Sequence, residues 1–298
     1  MCVLIISLSH DDSSSRVIDW LFIQRLEFMR LNSDWKECSQ LMNLFNLNEL
    51  NDIQSYWYRK GSFLRGFKNS FDNQKLIEKI MFEHLDKIYQ FIELKLCQKK
   101  HINGFYSSNP NKLIVLEKAK AKRLLTPQFF LSKELKKNET VEHIYKPINE
   151  GIHLSLDDYI GYVFTRKYNN KKLSKYGLTF FQKLIEKKYE LRIFYLDGQF
   201  WSMAIFSQSD DKTKIDFRHY NEEKPNRNIP FKLPKEIEGK LNLLMKDLNL
   251  NSGSIDMIVS KDREYYFLEV NPVGQFGMVS YPCNYYLEKE IAEYLSYD

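Results

Sequence analysis

Residues 265–277, YYFLEVNPVGQFG, place a carboxylate and an amide at the end of a strand that is otherwise apolar and aromatic. The run before it, residues 254–264, reads SIDMIVSKDRE. Together the two runs predict a β-hairpin, with residues 261–264 as a four-residue turn and Ser260 opposite Tyr265. The chain is therefore expected to bring polar side chains of two neighbouring strands together.

Three oxygen-bearing side chains share one face of this predicted hairpin. The register places Asp256 across from Glu269, and Asn271 lies two residues further along the same face. Because carboxylates roughly 5–8 Å apart repel each other, we expect a cation between them. Oxygen ligands favour a hard cation, Mg²⁺ or Mn²⁺, usually bridged to nucleotide phosphates. In the alternative interpretation, Asp256 only begins a strand and Glu269 is an edge charge.

The composition is typical of a globular protein. Of the 298 residues, 43% are hydrophobic and 28% are charged, and the length allows two or three lobes. The net charge of +5 does not indicate a nucleic-acid-binding protein. Scattered cysteines without a CxxC pair suggest neither a zinc site nor a disulfide framework: Cys2, Cys38, Cys97 and Cys283.

The N-terminal segment MCVLIISLSH predicts a first strand rather than a signal peptide, because it has no basic region. Nowhere do 18 apolar residues follow one another, so no membrane span is predicted. We therefore expect a cytoplasmic protein that neither binds nucleic acid nor enters a membrane.

Strand and helix patterns alternate along the chain and predict an α/β fold built of α+β lobes. A strand at residues 3–8, a strand near residue 57 and a long amphipathic helix from residue 74 form the first part. Residues 103–111, NGFYSSNPN, are rich in turn formers and indicate a lobe boundary. Three domains are expected, at 1–105, 106–181 and 182–298.

Two further segments have strong local signals. In 189–208, YELRIFYLDGQFWSMAIFSQ, the pair Asp197 and Gly198 predicts a two-residue type I′ hairpin. That register places Glu190 and Arg192 on one face of the hairpin. In YKP, residues 145–147, the proline favours an extended backbone before it, so Lys146 is expected to end a strand.

The phosphates of a metal-bound nucleotide need cations, but the sequence contains neither a GxxxxGK[ST] loop nor a GxGxxG motif. Side chains would therefore have to hold them. Separate elements offer four candidates, each of which alone is more often a surface charge: Lys112, Lys146, Arg192 and Arg218.

In order along the chain, five features resemble the motifs of the ATP-grasp superfamily of carboxylate–amine ligases, over nearly the whole sequence. These are NKLIVLEKAKAKRLLTP at 111–127, YKP at 145–147, FFQKLIEKKYELR at 180–192, DFR at 216–218, and the set Asp256, Glu269 and Asn271. Each is weak alone, but their order and spacing are specific.

The resemblance implies a role for each of these positions. Lys112 and Lys146 would hold the nucleotide phosphates, and Glu190 would hold the ribose hydroxyls. Arg192 and Arg218 would lie near the transferred phosphate. Backbone and apolar contacts to adenine would come from the linker between two lobes, Gln182, Lys183, Leu184 and Ile185. A core strand is the alternative interpretation of that linker.

Within the superfamily, the sequence is most similar to graspetide, or microviridin-type, macrocyclases, particularly the peptide maturases of grasp-with-spasm systems. The segments YWYRKG at 56–61 and EVNPVGQFG at 269–277 carry this likeness together with the hairpin at 189–208. It implies ATP-dependent phosphorylation of Asp or Glu side chains in a ribosomally made precursor peptide with leader and core. Thr or Ser hydroxyls or a Lys amine would then close ω-ester or ω-amide rings.

Two other functions stay open at this point. A ligase of the glutamate-ligase type would add free amino acids to a peptide or small acid. A nucleotide-binding regulator would keep the fold without turnover, although such proteins are expected to lose metal ligands. Relatives of the resembled family are commonly homodimers, so a homodimer is also expected.

Overall fold

The computed structural model describes residues 2–34, 49–61, 75–133, 141–148, 153–156, 159–162, 165–168, 178–209, 213, 223 and 225–296. Two compact units make up the chain. The first contains Met1–Asn109, Asn249–Gly253 and Asn271–Asp298, and the second contains Pro110–Leu248 and Ser254–Val270. The finer division into three domains stays a prediction.

Parallel strands form the sheet of the first unit. Its strands are β1 (Cys2–Ser7), β2 (Glu27–Asn32), β3 (Ile53–Tyr58) and β4 (Lys100–Ile102), in the order β2-β1-β3-β4. Helices of this unit are α1 (Asp12–Ile23), α2 (Lys75–Leu96), α5 (Gly277–Cys283) and α6 (Leu287–Ser296), with a short 3-10 helix at Glu49–Asn51. The continuous apolar run of β1 fits a parallel strand covered on both faces.

The core of the first unit lies between this sheet and α2. Leu4, Ile6, Tyr56, Ile92 and Leu96 are buried in it. The long helix predicted from residue 74 supplies the last two, because its apolar positions recur at helical spacing. Helix α6, near the C-terminal end of the described residues, packs against α1 and β3.

A buried ion pair lies beside this sheet. Asp11 caps α1 by accepting a hydrogen bond from the amide of Ser14 at 2.9 Å. The same carboxylate contacts Nε of Arg59 at 3.2 Å, and both side chains are almost fully buried. Nη1 of Arg59 donates to the carbonyl of Val273. The C-terminal part of the first unit, residues 271–298, is thus joined to its N-terminal part.

The second unit contains two antiparallel sheets and a small hairpin. One sheet is formed by β5 (Phe129–Ser132), β10 (Thr179–Lys183), β6 (His143–Lys146) and β9 (Arg166–Lys167), in that spatial order. Lys146 ends its strand, as Pro147 predicts. The small hairpin pairs β7 (His153–Leu156) with β8 (Tyr159–Tyr162).

The second sheet has the order β13-β12-β11-β14-β15. Its strands are β11 (Lys187–Leu196), β12 (Gln199–Phe206), β13 (Arg227–Phe231), β14 (Ser252–Ser260) and β15 (Tyr265–Asn271). Helix α3 (Lys112–Ala121) begins directly after its cap, Asn111, and α4 (Lys235–Asp247) buries Leu241, Leu244 and Met245.

The two predicted hairpins have different outcomes. Leu196 pairs with Gln199 as predicted, and Asp197 and Gly198 have φ angles of 43° and 92°, which a type I′ turn requires. At the other hairpin the predicted turn is wrong. The amide of Ser260 donates to the carbonyl of Glu264 at 2.9 Å, so the turn has three residues rather than four, and Ser260 lies opposite Glu264 instead of Tyr265. The register predicted from the four-residue turn, with Asp256 across from Glu269, is therefore wrong by one residue.

The physical reason for the shorter turn is a left-handed residue. Arg263 has φ 65°, and its amide donates to the carbonyl of Ser260 at 3.0 Å. A type I turn followed by one left-handed residue closes a three-residue hairpin loop. Arginine gives no sequence signal for that conformation, which is usually associated with glycine or asparagine.

No helix in the described ranges has an apolar stretch long enough to cross a membrane.

Candidate functional site

A cavity that is open to solvent lies in the second unit. The whole predicted adenine segment, residues 182–185, lines it. So do four of the charged residues predicted from the sequence: Lys146, Glu190, Asp256 and Glu269. Strands β6, β10, β11, β14 and β15 supply most of the wall, so two sheets contribute to a single cavity.

Glu269 is held by the two predicted phosphate-binding lysines. Nζ of Lys112 lies 2.8 Å from Oε2 of Glu269, and Nζ of Lys146 lies 3.5 Å from the same atom. The exposed fraction is 9% for each lysine side chain and 14% for the glutamate. This poor access to solvent makes the contact a largely buried ion triad rather than a surface salt bridge.

Local structure positions each member of the triad. Asn111 accepts hydrogen bonds from the amides of Leu113 and Ile114, at 2.9 and 3.3 Å, and so fixes the start of α3 at Lys112. Lys146 is the last residue of β6, where Pro147 prevents continuation of the ladder. Asn111 and Pro147, which set the start of α3 and the end of β6, thus also position Lys112 and Lys146.

Arg192 and Asp256 form the second charged pair. Nη1 of Arg192 lies 2.6 Å from each carboxylate oxygen of Asp256. The side chains are 11% and 16% exposed. The strands that carry them, β11 and β14, are neighbours in the sheet. A protein cation therefore neutralises the first predicted metal ligand as well.

Glu190 is surrounded by donors. Nζ of Lys187 donates to Oε1 at 2.5 Å, and Oγ of Ser207 donates to Oε2 at 2.6 Å. The carboxylate is buried and lines the cavity. Each oxygen keeps acceptor capacity beyond these bonds, which suits the predicted contact with sugar hydroxyls.

The donor chemistry of Asp256 and Glu269 fits a hard divalent cation. Both are carboxylates on neighbouring strands, both line the cavity, and Mg²⁺ is bound in proteins through one or two carboxylates together with substrate phosphates. Asn271 ends β15 and accepts a hydrogen bond from the amide of Val273 at 3.0 Å. Asn271 belongs to the first unit, and its place among the ligands stays a prediction.

Arg218, the second predicted catalytic arginine, and the DFR segment that contains it lie outside the described residues. Their position and role stay predictions.

Sequence reasoning missed two residues that contact Glu190. Lys187 begins β11 and lies three positions before Glu190, a spacing that places side chains on opposite faces in a regular strand. Ser207 follows β12. Neither position has a sequence signal, because the contacts arise at strand ends where alternation no longer applies.

No protein-family model and no curated protein matches the sequence. The structure is similar to the macrocyclase MdnC from Microcystis aeruginosa bound with the precursor peptide MdnA, with a TM-score of 0.77, 24% identity, and 99% of each chain covered. The chain has the ATP-grasp fold. This confirms the fold expected from the sequence.

Other structures with this fold match over similar lengths. A RiPP-associated ATP-grasp ligase from Chryseobacterium gregarium, in complex with ADP and a leader and core peptide, has a TM-score of 0.75 at 23% identity and covers 99% of this chain and 95% of its own. A D-alanine–D-alanine ligase from Bacillus anthracis, complexed with ATP, has a TM-score of 0.58 at 13% identity, with 99% and 96% covered. Of these three, the two structures with bound peptides have the higher TM-scores.

Proposed function

We propose that this protein is an ATP-dependent ligase that closes ω-ester or ω-amide rings in a ribosomally made precursor peptide. The observation that carries the proposal is the charge arrangement at the cavity. Lys112 and Lys146 contact Glu269, and Arg192 contacts Asp256, at distances of 2.6–3.5 Å. The fold and its likeness to two peptide-bound ligases support the choice of substrate.

The paired charges suit exchange with a metal-bound nucleotide. Nucleotide phosphates would take the ammonium groups of Lys112 and Lys146, and this releases the carboxylate of Glu269. Glu269 and Asp256, with Asn271, would hold Mg²⁺, which supplies charge neutralisation at the β- and γ-phosphates. Mn²⁺ in its place stays a prediction. The lysines would exchange a carboxylate for phosphates, and Glu269 would exchange the lysines for Mg²⁺. Few charges would therefore be left without an opposite charge during binding.

The remaining named residues fit the sugar and the base. Glu190, held by Lys187 and Ser207, would accept hydrogen bonds from the ribose hydroxyls. Residues 182–185 would border the adenine, since apolar Leu184 and Ile185 line the same cavity.

The proposed reaction proceeds in two steps. An oxygen of a peptide Asp or Glu side chain attacks the γ-phosphorus of ATP, and ADP leaves. A Thr or Ser hydroxyl, or a Lys amine, then attacks the acyl carbon, loses its proton, and inorganic phosphate departs. Arg192, and by prediction Arg218, would offset negative charge on the acyl phosphate and on the tetrahedral oxyanion that follows. Each ring costs the peptide one water.

The test incubates the full chain with Mg²⁺, ATP and a short peptide, encoded beside the gene, that is rich in Thr and in Asp or Glu. The expected result is a peptide mass lower by one water for each ring and one ADP released per ring. Glu269→Gln should abolish both signals, and Glu186→Gln, at an exposed glutamate, should retain them.

Other outcomes would refute the proposal in different ways. ADP release that depends on a free amino acid would indicate an amino-acid ligase. ATP binding without any peptide-dependent ADP release would indicate a nucleotide-binding regulator. We also propose a cytoplasmic homodimer, whose mass in solution can be measured by light scattering.

A further inference from the structure

Asn103 begins the turn-rich segment 103–111 and is buried within the first unit. It follows β4 with a left-handed φ of 49°, which asparagine adopts more readily than most residues. Its Oδ1 accepts from the amides of Asn251 and Ser252 at 3.3 and 3.2 Å. Its Nδ2 donates to the carbonyls of Ser252 and Pro272 at 3.0 and 3.2 Å. The side-chain amide thus uses both of its donors and both of its acceptor sites.

The bond to Pro272 fixes a peptide group that also holds Asn271. Asn271 ends β15 and is partly exposed. The carbonyl of Pro272 and the amide of Val273 belong to one peptide group, which is planar. Asn103 binds this group at its oxygen, and the N–H of the same group donates to Oδ1 of Asn271 at 3.0 Å. A single rigid plane therefore connects Asn103 to the side chain of Asn271.

The next peptide group along the segment is held in the same way. Nη1 of Arg59 donates to the carbonyl of Val273, and Arg59 is almost fully buried. The amide of Gly274 donates to the backbone carbonyl of Asn271 at 3.1 Å. Two buried side chains thus fix two successive peptide groups, and neither group can rotate without breaking a hydrogen bond.

These contacts determine how the side chain of Asn271 is oriented. Only the oxygen of its amide can accept the N–H of Val273, so the positions of Oδ1 and Nδ2 are fixed. The oxygen has a second lone pair beyond the one used in this bond. Hard divalent cations take oxygen ligands, among them the amide oxygen of asparagine. Asn271 is therefore oriented before any metal binds.

We propose that Asn103 is a positioning residue for the metal ion and orients Asn271 through the Pro272–Val273 peptide group. The inference rests on the proposed function, in which Asn271 is one of the Mg²⁺ ligands. Asn103 needs no contact with the metal or the nucleotide, so its burial is compatible with this role. Residues that hold metal ligands in place typically contribute about tenfold to a hundredfold to metal affinity, and we expect this range for Asn103.

The experiment measures the ADP affinity of the full chain by titration calorimetry, at a series of free Mg²⁺ concentrations and in EDTA. Asn103→Gly removes the side-chain bonds and suits the left-handed backbone. It should raise the half-saturating Mg²⁺ concentration about tenfold to a hundredfold and leave the ADP affinity in EDTA unchanged. Asn284→Gly, the same change at an exposed asparagine with φ 53°, should alter neither quantity.

A double-variant cycle separates positioning from a general structural role. Asn271→Ala should raise the half-saturating Mg²⁺ concentration as Asn103→Gly does. Because Asn103 acts through Asn271, the double variant should lose no more than Asn271→Ala alone. Independent structural damage would instead multiply the two losses, and that result would overturn the positioning role.

A measurement on the wild type tests the same role if Asn103→Gly does not fold. Hydrogen exchange at the Val273 amide should be slow without nucleotide or metal, and it should change little when ADP and Mg²⁺ are added. Fast exchange that becomes slow only with Mg²⁺ would mean that the metal, and not Asn103, orders the segment, and the proposal would be overturned.

The possible failures are distinguishable. An unchanged Mg²⁺ dependence in Asn103→Gly would overturn the role of Asn103 and leave the proposed ligase intact. An unchanged dependence in Asn271→Ala would remove Asn271 from the ligands and the positioning role with it, but not Asp256 and Glu269. Absence of ADP binding by the wild type at every Mg²⁺ concentration would overturn the proposed function itself.

Discussion

Replacing Glu269 by glutamine tests the largely buried triad most directly, since it removes one negative charge and keeps the shape of the side chain. At an effective dielectric constant of about 20, contacts of 2.8 and 3.5 Å correspond to gross attractions of about 6 and 5 kcal/mol. Desolvation offsets much of this. Removal of one partner from a buried ion pair typically costs about 3–5 kcal/mol, and we expect a loss of that size in the free energy of unfolding.

The assay is equilibrium urea denaturation followed by tryptophan fluorescence, without nucleotide or metal. Glu186→Gln is the matched control. Glu186 contacts Lys261 at 2.6 Å, but the two side chains are 73% and 69% exposed. Exposed pairs of this kind contribute about 0–1 kcal/mol, so the control should change stability very little. A Glu269→Gln variant no less stable than the control would refute the stabilising role of the triad.

The same variant also tests charge exchange. Without Glu269 the two lysines have lost their carboxylate, so ATP without divalent metal should stabilise Glu269→Gln more than it stabilises the wild type. The size follows from the ligand concentration relative to Kd. Equal stabilisation of both proteins would mean that the phosphates do not displace Glu269 from Lys112 and Lys146.

Three further predictions concern other residues. Although burial opposes ionisation of Asp11, Arg59 and an amide hydrogen bond lower the pKa of this carboxyl; its stabilisation is therefore present above about pH 4 and lost as the pH falls through the lowered value. Asp11→Asn should lower the free energy of unfolding at pH 7 by about 3–5 kcal/mol. The variant should also lose less stability than the wild type when the pH falls below 4. Urea unfolding at pH 7 and at a pH below 4 measures both effects. Burial raises the pKa of Cys97 to about 12, so iodoacetamide at pH 8 should label it at least about a hundredfold more slowly than an ordinary thiol, and rapid labelling by peptide mass spectrometry would contradict this. Arg192→Ala should lower peptide-dependent ADP release about 10²- to 10³-fold with a smaller change in ATP affinity, and equal losses in both would argue against a transition-state role.

Local signals predicted the parts of the fold that depend on a few neighbouring residues. Asp197 and Gly198 fix a hairpin register because few residue pairs accept two left-handed conformations in succession. Pro147 ends β6 because it has no backbone donor. The prediction of the turn after Ser260 was wrong, because Arg263 adopts a left-handed conformation that its side chain does not favour. Where tertiary contacts determine the backbone conformation, the residue type at a single position does not predict it.

The candidate site shows the same limit. Lys146, Asp256 and Glu269, which the sequence singles out, line one cavity, and their roles in it stay predictions. The sequence predicted a cation between the carboxylates but could not show that Lys112 and Arg192 supply protein cations directly. Pairing between distant elements depends on how sheets meet, and no local pattern encodes it.

This pairing explains how so many charged side chains can lie close together at the site. Four cations and three carboxylates make the charged contacts described at the candidate site: Lys112, Lys146, Lys187 and Arg192, with Glu190, Asp256 and Glu269. Carboxylates arranged for a metal would repel one another, and cations arranged for phosphates would do the same. Each set compensates the other, so the charges that we propose to bind the nucleotide and its metal also stabilise the cavity without them.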